Sequence, residues 1–310
     1  MHMSNTGAVS GWCARRTSNM TEAQAANPVA EQFFQEVKEF NERARLLGYP
    51  DIESYYWYHT IELPIGLVTP GLYDLRDSLS NFRFPEDMRG MNVLDVGTAT
   101  GFFAFEFARR GAHVTAIDLP SLYALDRFPG QNIEHTLEKI GEMIVPKSLD
   151  QVRGYVRNYT AEQLYFYLLQ GPFEFCQKLL NAPVERVLST VYDLSEAKLS
   201  RKFDIVFLGD ILLHTLYPLQ ALAAAAQLCS GTLVLAQMMP EEANEKPAML
   251  YVGGDSPSSD EVSWWLPNKA CLVQLLKKLG FGAVREIGRN TGVLRPSGYA
   301  YDRPILQAVR

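Results

Sequence analysis

The sequence predicts an α/β fold built around a mostly parallel β-sheet, and three observations lead to this class. From residue 91 onward, short apolar runs alternate with segments of helical periodicity. A glycine-containing loop follows the first of these runs. The runs are apolar along their whole length, as parallel strands covered by helices are expected to be. We therefore expect a sheet with helices packed on both of its faces.

The predicted elements follow one another in a regular order. The predicted strands cover residues 92–96, 113–117, 186–192, 203–208 and 232–237, and the predicted helices cover residues 102–110, 218–228 and 269–279. A strand, a helix and a second strand in succession form a βαβ unit, whose two strands are parallel. The carboxyl ends of these strands therefore share one edge of the sheet, where ligands of open α/β sheets bind.

Three further regions lie outside this regular order. Residues 1–25 are rich in Ser, Thr, Ala and Asn, and we expect them to be disordered. Residues 26–85 combine a predicted helix, 27–47, with an aromatic stretch, and we expect them to lie over the active site. Within the α/β domain, residues 86–310, the aromatic insert 128–182 has room for two or three helices. This helical insert is either a lid over a pocket or an extra layer that forms a dimer surface.

The composition excludes several classes of protein. The 310 residues carry a formal net charge of −6, so no strong electrostatic field draws the chain to nucleic acid or to a membrane. No apolar run approaches the roughly 20 residues of a membrane span. Four widely spaced cysteines form neither a disulfide framework nor a set of metal ligands. We therefore expect a cytoplasmic protein that binds neither a membrane nor a metal.

The loop Asp95-Val-Gly-Thr-Ala-Thr-Gly101 carries the main chemical indication. It follows a predicted strand and opens a predicted helix, the position where α/β folds bind nucleotides. Gly97 would allow a tight turn close to a ligand, Thr98 follows it in the loop, and Gly101 would let the helix pack on the strand. Ala99 stands where the dinucleotide-binding fingerprint has a further glycine, so the loop alone does not separate S-adenosylmethionine (SAM) from NAD.

Two aspartates extend this site. Asp118 ends the second predicted strand, where a carboxylate accepts hydrogen bonds from the two ribose hydroxyls of a nucleoside. Asp193 ends the third, where a carboxylate can accept a hydrogen bond from the adenine amino group. Either aspartate could instead be a turn residue or a helix cap. Asp193 favours SAM over NAD, whereas Asp118 suits both cofactors.

Several motifs in the same order resemble the tRNA wobble-uridine carboxymethyltransferase family and its methyltransferase relatives. They are the glycine loop at residues 93–101, Phe-Asp-Ile-Val-Phe-Leu-Gly-Asp-Ile-Leu-Leu-His at 203–214, Pro-Leu-Gln-Ala-Leu at 218–222, Tyr-Val-Gly-Gly-Asp at 251–255, Trp-Leu-Pro-Asn-Lys-Ala-Cys-Leu at 265–272 and Leu-Leu-Lys-Lys-Leu-Gly-Phe at 275–281. The similarity covers roughly residues 55–290 without the insert.

This resemblance implies a Rossmann-like class I methyltransferase fold and SAM as cofactor. The residues that it implies for the nucleoside pocket are Gly97, Asp118 with Leu119, Tyr192 with Asp193, and Gly209. Tyr58 and Arg76 are expected to contact the methionine part of SAM. The true carboxymethyltransferases bind carboxy-SAM and hold its extra carboxylate with a lysine, a tyrosine and an arginine. Leu213 occupies the tyrosine position here, and residues 55–70 contain no lysine, so we expect ordinary SAM.

His59 and His214 are the candidate catalytic bases. His214 follows the fourth predicted strand, and His59 lies in the aromatic stretch near the expected cofactor mouth. Imidazole titrates near pH ~6.5, so either side chain could take a proton from a methyl acceptor. Each could equally be a hydrogen-bonded structural histidine. Glu62 and Asp210 are weaker candidates, because an ion-pair and a capping role account for them equally well.

The identity of the acceptor divides the remaining hypotheses. A small molecule would need a closed aromatic pocket, whereas tRNA would need a basic face. The candidate basic residues are Arg109, Arg110, Arg285, Arg289, Arg295, Arg303 and Arg310. They are scattered in an acidic chain, so we favour a small molecule. A noncatalytic SAM-binding protein and an NAD-linked oxidoreductase remain as alternatives from other classes.

Overall fold

The computed structural model describes residues 27–144, 159–240, 246–256 and 262–310. Its strands are β1 Glu62–Leu63, β2 Leu67–Val68, β3 Asn92–Val96, β4 His113–Asp118, β5 Val184–Leu188, β6 Phe203–Gly209, β7 Cys229–Ala236, β8 Met249–Tyr251, β9 Trp265–Pro267, β10 Ala283–Leu294 and β11 Tyr299–Val309. Its α-helices are α1 Pro28–Leu46, α2 Phe102–Arg109, α3 Ile133–Ile144, α4 Ala161–Tyr165, α5 Gly171–Leu180, α6 Glu196–Leu199, α7 Pro218–Leu228 and α8 Lys269–Lys278. In the described residues, none of the helices is long and apolar enough to cross a membrane.

A seven-stranded sheet forms the centre of the part of the chain that is described. Its strand order is β10-β11-β7-β6-β3-β4-β5. The pairs β3–β4, β3–β6, β4–β5 and β6–β7 are parallel, whereas β11 pairs antiparallel with both β7 and β10. The predicted α/β, Rossmann-like methyltransferase sheet is therefore confirmed.

Helices cover both faces of this sheet, as the continuous apolar strands predict. Val93 and Leu94 are adjacent in β3 and both fully buried, but they belong to different core clusters because successive strand residues point to opposite faces. The Val93 side packs with α1, α2, α5 and the segment 55–88, whereas the Leu94 side packs with α7 and α8. Both faces of the sheet are therefore buried under helices, which is why its central strands β3, β4, β6 and β7 are mostly apolar.

The third predicted strand ends earlier than the apolar pattern indicates. The sequence predicts residues 186–192, but β5 covers Val184–Leu188 and a 3-10 turn follows at Val191–Asp193. β5 is an edge strand with only β4 beside it, and its Leu188 is 47% exposed. An edge strand that is partly exposed does not need a continuous apolar run. The apolar pattern therefore does not mark where β5 ends.

The C-terminal hairpin of β10 and β11 is absent from the sequence prediction. Its two antiparallel strands have 12 and 11 residues and complete one edge of the sheet. β10 carries exposed charged side chains, for example Arg285 and Glu286. A strand of this kind lacks the apolar run by which the buried parallel strands are identified.

The N-terminal segment packs against the Val93 side of the sheet. Asn27 caps α1 through hydrogen bonds from the backbone N–H groups of Val29 and Ala30. The ring of Phe40 meets Trp57 edge-on at a centroid distance of 5.3 Å, which joins α1 to the aromatic stretch. The predictions for residues 1–25 fall outside the described residues.

The described parts of the insert are helical. α3 precedes residues 145–158, which lie outside the described residues, and α4 continues through a π-helical turn, Phe166–Gln170, into α5. The backbone N–H of Tyr56 donates to the carbonyl of Tyr167 at 2.9 Å, which joins the insert to the N-terminal aromatic stretch. The hydroxyl of Tyr165 donates to the carbonyl of Leu119 at 2.8 Å, directly after β4. The insert therefore packs beside the carboxyl edge of the sheet.

Candidate active site

A pocket opens at the carboxyl ends of β3, β4 and β6, where an open α/β sheet binds its ligands. One side of the pocket is formed by the glycine loop and Asp118. Its other lining residues come from the aromatic stretch, the loop after β6 and the β10–β11 hairpin. The sequence predicts that the part formed by the glycine loop, the loop side, holds the cofactor.

The loop between β3 and α2 has a backbone that few side chains tolerate. Gly97 has a φ of +77°, and a Cβ atom there would lie 1.9 Å from Cδ1 of Ile211. Gly101 has a φ of +93° at the start of α2, where a Cβ atom would clash with the ring of Phe105. Ala99 also adopts a positive φ, +49°, although it has a side chain. These values explain the predicted need for glycine at 97 and 101.

Asp118 joins the end of β4 to this loop. Its Oδ2 atom accepts a hydrogen bond of 2.9 Å from the backbone N–H of Ala99, and its Oδ1 atom accepts one of 2.8 Å from Leu119. Burial raises the pKa of Asp118, and these two N–H donors and the nearby Arg186 guanidinium counteract the rise. Each carboxylate oxygen has a second lone pair. Asp118 is therefore oriented to accept the ribose hydroxyls of a nucleoside.

Asp95 is buried at the end of β3, and its Oδ2 atom has no hydrogen-bond partner among the residues described. Burial raises the pKa of Asp95 to about 7, and the charge of Asp118 acts in the same direction. The hydroxyl oxygen of Thr98 in the same pocket is also buried without a partner. The nearby Thr98 and the backbone of Ala104 only partly offset the rise in the pKa of Asp95. A buried carboxylate oxygen without a donor is unfavourable unless a ligand supplies one. The ammonium group of the SAM methionine part is such a donor, so these residues fit SAM.

The pocket contains some of the other predicted cofactor residues and not the rest. Tyr58 and Gly209 line it. Arg76 instead forms ion pairs with Asp74 and Glu62 outside it. The hydroxyl of Tyr192 donates to Asp126, and Asp193 is exposed, where its Oδ2 atom accepts a hydrogen bond of 2.6 Å from Thr190. The structure thus leaves Arg76, Tyr192 and Asp193 away from the pocket lining.

His59 lines the pocket from within the protein core. It is 7% exposed, and its Nδ1 atom lies 3.0 Å from the hydroxyl oxygen of Thr100. Burial lowers the pKa of His59 to about 3. The imidazole is therefore neutral at physiological pH and too weak a base for efficient proton transfer. Its contacts fit a residue that holds the aromatic stretch against the glycine loop.

His214 is the better placed of the two candidate bases. It is half-buried in the loop after β6, and its Nδ1 atom lies 2.7 Å from the carbonyl oxygen of Val262. A carbonyl only accepts, so Nδ1 carries the proton and Nε2 is the free acceptor. Burial lowers the pKa of His214, and the Val262 carbonyl and Asp210 oppose this while Arg303 reinforces it. His214 is therefore neutral and able to receive a proton.

Arg303 is a pocket residue that the sequence prediction assigns to a surface. It is 4% exposed, and its Nε atom lies 2.5 Å from Oδ2 of Asp210. The guanidinium lies between the rings of Tyr73 and Tyr301, with centroid distances of 5.5 and 4.7 Å. Burial alone would lower the pKa of Arg303, but Asp210 and the tyrosines outweigh it, so Arg303 stays charged. The one sequence indication is its place on the buried face of β11, two residues from both Tyr301 and Ile305.

Asn290 and Tyr73 complete this side of the pocket, and the sequence does not indicate them either. Asn290 is the register partner of Arg303 across the hairpin, and its side-chain oxygen accepts a hydrogen bond of 2.8 Å from Ser78. The rings of Tyr73 and Tyr58 lie 5.0 Å apart. All these side chains line the same pocket as His214. Tyr58, Tyr73, Asn290 and Arg303 thus form a wall of aromatic and hydrogen-bonding groups in the same pocket as the glycine loop.

The arginines proposed as a basic face are engaged elsewhere. Arg109 and Arg110 both pair with Glu106, and Arg289 pairs with Asp302 and Glu286. The remaining ones bind acidic groups, side-chain amides or backbone carbonyls: Arg285 to Gln307, Arg295 to Glu36, Arg303 to Asp210 and Arg310 to Cys229 and Ala226. Carboxylates thus pair with five of these seven arginines, which weakens the basic face that a phosphate backbone would need.

Comparison with known proteins identifies the family. The family model described as "Methyltransferase domain" matches residues 71–286, more than two thirds of the chain. Over 67 residues the chain is 40% identical to magnesium-protoporphyrin O-methyltransferase of Rhodobacter capsulatus, a match that covers 21% of this chain and 30% of that protein.

Two solved structures are similar in fold. One is the N-terminal domain of EvdMO1 in the presence of S-adenosylhomocysteine (SAH) and D-fucose, with 18% identity, 88% of this chain and 97% of that chain covered, and a TM-score of 0.50. The other is the magnesium protoporphyrin IX methyltransferase ChlM of Synechocystis PCC 6803 with bound SAM, with 15% identity, 93% and 86% covered, and a TM-score of 0.41. From the family match, the chain belongs to the methyltransferase-domain family.

Proposed function

We propose that this enzyme transfers the methyl group of SAM to a small-molecule acceptor in the pocket, and that His214 takes the acceptor's proton. One observation carries the proposal. His214, Tyr58, Tyr73, Asn290 and Arg303 line the same pocket as the glycine loop and Asp118. A methyl donor held on the loop side would present its reactive carbon to these side chains.

The residues on the loop side would hold the cofactor. Bound SAM supplies an electrophilic methyl group on a positively charged sulfur. Asp118 accepts the ribose hydroxyls in this arrangement, and Asp95 accepts the methionine ammonium, which gives its unpartnered Oδ2 atom a donor. Gly97 lets the loop turn close to the ligand without a side chain in the way. These roles place and orient the donor, which is the largest part of catalysis by a methyltransferase.

His214 would act through its Nε2 atom. The Val262 carbonyl fixes the tautomer that leaves Nε2 free, as an orienting hydrogen bond does for other histidine bases. His214 is half-buried, so it can release the proton to solvent after each turnover. His59 would support the site from behind, because its hydrogen bonds with Thr100 join the aromatic stretch to the loop.

The contacts of the arginines and the names of the relatives support a small acceptor over tRNA. The candidate basic residues are paired with acidic side chains or bound to carbonyls, as described above. One curated relative is named for magnesium protoporphyrin, and the EvdMO1 domain was crystallised with D-fucose. Both are small molecules. Residues 27–85 and the described parts of the insert, 128–144 and 159–182, would enclose such an acceptor from above the sheet.

We also place the enzyme in the cytoplasm. Cys176 and Cys229 are free and buried, and Cys271 is free and partly exposed. Free thiols persist where glutathione and thioredoxin keep cysteines reduced. Fractionation of cells that express a tagged chain should recover it with cytoplasmic markers, and recovery with membranes or the medium would contradict this placement.

A binding and labelling experiment tests the proposal. Isothermal titration should show binding of SAH by the wild-type chain and none of NAD, whereas binding of NAD alone would overturn the cofactor assignment. The enzyme is then incubated with methyl-labelled SAM and with either the low-molecular-mass fraction of a cell extract or total tRNA. We expect label in the small-molecule fraction and little in tRNA. Incorporation only into tRNA would overturn the acceptor class, and none in either would favour a noncatalytic SAM-binding role.

A further inference from the structure

Arg303 has a free hydrogen-bonding edge in the pocket, although its charge is already balanced. Asp210 contacts Nε, and the Tyr73 hydroxyl lies 3.5 Å from Nη2. The Nη1 atom is buried without a hydrogen-bond partner among the residues described, and Arg303 lines the pocket. An unpaired guanidinium N–H group in such a place is unfavourable unless a ligand atom accepts from it.

We propose that Arg303 holds the oxygen atom that receives the methyl group, and that the acceptor is an acidic hydroxyl compound, namely a phenol. This inference rests on the proposed function and names its substrate class. Nη1 of Arg303 donates to the acceptor oxygen, and His214 takes the proton of that oxygen. The rings of Tyr58 and Tyr73 form the wall against which the aromatic ring of the acceptor packs.

The donor character of this wall argues against an amine. Arginine has only donors, and a protonated amine has only donors and a like charge. Even a neutral amine would place its single lone pair on Arg303 and leave none for the methyl group. A hydroxyl oxygen has two lone pairs, so it accepts from Nη1 with one and attacks with the other.

The neighbouring aspartates argue against an acceptor that arrives ionised. Asp210 already neutralises Arg303, and Asp95 and Asp118 line the same pocket. A free carboxylate would add another negative charge to this partly desolvated site. A phenol enters without charge and develops negative charge only as its proton leaves. Arg303 then stabilises this charge where it forms, as a preorganised donor does in other enzymes.

The bonds and charges of the proposed step balance. The acceptor oxygen forms a bond to the methyl carbon while the bond from that carbon to the cofactor sulfur breaks. The sulfur keeps the electron pair and becomes neutral. The hydroxyl proton moves to Nε2 of His214, which becomes an imidazolium and later releases the proton to solvent. The products are the methyl ether, SAH and one proton.

A spectroscopic probe tests the acceptor class without a known substrate. The enzyme is saturated with SAH and titrated with 4-nitrophenol, whose phenolate absorbs visible light and whose neutral form does not. We expect the wild type to raise the phenolate fraction at constant pH, which corresponds to a fall of about one unit in the pKa of the bound probe. The isosteric 4-nitroaniline should bind at least tenfold more weakly. Equal binding of both probes, or binding of the phenol without a rise in phenolate, would overturn the proposal.

Variants locate the effect. Arg303→Lys keeps a cation beside Asp210 but removes the guanidinium fork, so it should abolish the rise in phenolate while SAH binds as in the wild type. Arg289→Lys changes an arginine of the same hairpin that pairs with Asp302 outside the pocket, and it should leave both measurements unchanged. A rise in phenolate that survives Arg303→Lys would place the phenol elsewhere. Failure of the wild type to bind SAH would overturn the proposed function, whereas SAH binding without probe binding would overturn only the acceptor class.

Discussion

The Oδ2 atom of Asp118 accepts a hydrogen bond of 2.9 Å from the backbone N–H of Ala99, 19 residues earlier in the chain. This contact joins the end of β4 to the middle of the glycine loop. Ala99 has a positive φ, which turns its N–H toward the carboxylate. The carboxylate therefore both holds the loop and presents its remaining lone pairs to a ligand. Substitution of Asp118 should consequently affect cofactor binding through two routes.

Asp118→Asn should weaken SAH binding at least tenfold, which corresponds to about 1.4 kcal/mol. Both carboxylate oxygens accept from backbone N–H groups, so the asparagine amide would face one of them with its own N–H donors. Asp193→Asn is the matched control, because Asp193 is exposed and its Oδ2 atom accepts from Thr190. We expect it to change the affinity less than twofold. Isothermal titration measures both, and a larger loss in Asp193→Asn would instead support its contact with adenine.

Gly97→Ala should destabilise the protein by about 2 kcal/mol and weaken SAH binding at least tenfold. The substitution imposes a left-handed backbone on an alanine and brings its Cβ against Ile211, which would have to move within the pocket. Gly90→Ala separates these effects, because Gly90 has a similar φ of +80° with open space around it. It should lose about 1 kcal/mol of stability and no SAH affinity. Urea unfolding and titration measure the two quantities, and equal losses of affinity would contradict the steric explanation.

Asp95 should contribute a loss of stability to the free protein as pH rises from about 4 to about 7. The pKa of Asp95 is near 3.8 when unfolded and about 7 in the folded protein, so across this window the folded state holds a proton that the unfolded state has released. Stability falls with pH wherever the folded state binds more protons, and His59, whose pKa is about 3 in the folded protein, acts in the opposite direction over part of the window. Urea unfolding of the wild type and of Asp95→Asn at several pH values should therefore show the contribution of Asp95 as the difference between the two slopes.

Asp95→Asn should remove this loss of stability at rising pH, because the amide does not titrate. Saturating SAH should also reduce it in the wild type, since the ligand ammonium stabilises the ionised carboxylate. Equal slopes in the wild type and in Asp95→Asn would contradict this contribution of Asp95. Asp118, whose pKa burial also raises, is the first to test in that case.

His214→Gln should lower the rate of methyl transfer about 10²- to 10⁴-fold and leave SAH affinity within twofold. Glutamine can still donate to the Val262 carbonyl but cannot take a proton. His59→Gln is the contrasting variant, because burial lowers the pKa of His59 to about 3 and its hydrogen bonds are to Thr100. It should lose about 1 kcal/mol of folding stability and less than tenfold in rate. The assay uses the acceptor fraction that the labelling experiment identifies, and a larger rate loss in His59→Gln would reverse the assignment.

Arg295→Met should destabilise the protein by about 2 kcal/mol. Its guanidinium binds Glu36 in α1, the hydroxyl of Thr60 and the carbonyl of Gly71, so it ties the N-terminal segment to the C-terminal hairpin. Arg285→Met is the matched control, since Arg285 is exposed and binds only Gln307 across the hairpin. It should change stability by less than about 0.5 kcal/mol. Urea unfolding measures the stability of both variants. Equal losses would show that the contacts of Arg295 with the N-terminal segment do not stabilise the protein.

The sequence predicts the loop side of the pocket better than the rest of it. β3 and β4 are short, mostly apolar runs, with Asp95 and Asp118 at or next to their carboxyl ends and Gly97 directly after β3. Local patterns of this kind determine local geometry, so the predicted residues meet at one edge of the sheet. Asp193 lies on a turn beyond an edge strand whose end the apolar pattern does not mark, and its predicted place therefore differs from its position in the structure.

Arg303 shows why the rest of the pocket is hard to predict from the sequence. An arginine is rarely buried, so the chemistry of the residue alone predicts a surface position. Its burial follows from two long-range contacts, with Asp210 after β6 and Tyr73 before β3, besides the contact with Tyr301 two residues away on its own strand. Neither long-range contact is visible as a spacing. The β10–β11 hairpin that carries Arg303 is likewise defined by pairing with β7 and not by hydrophobic periodicity.

The pairing of Asn290 with Arg303 has a consequence for how this enzyme could acquire other substrates. Side chains of a strand alternate between its faces, so only every second residue of the hairpin end looks toward the reacting atoms. A few substitutions at these alternate positions would change the side chains that contact an acceptor. They would leave the proposed SAM-binding residues between 95 and 118 unchanged. Acceptor selectivity and methyl donation thus depend on separate segments of the sequence. A library of variants confined to the hairpin could change the selectivity and leave the binding of the methyl donor intact.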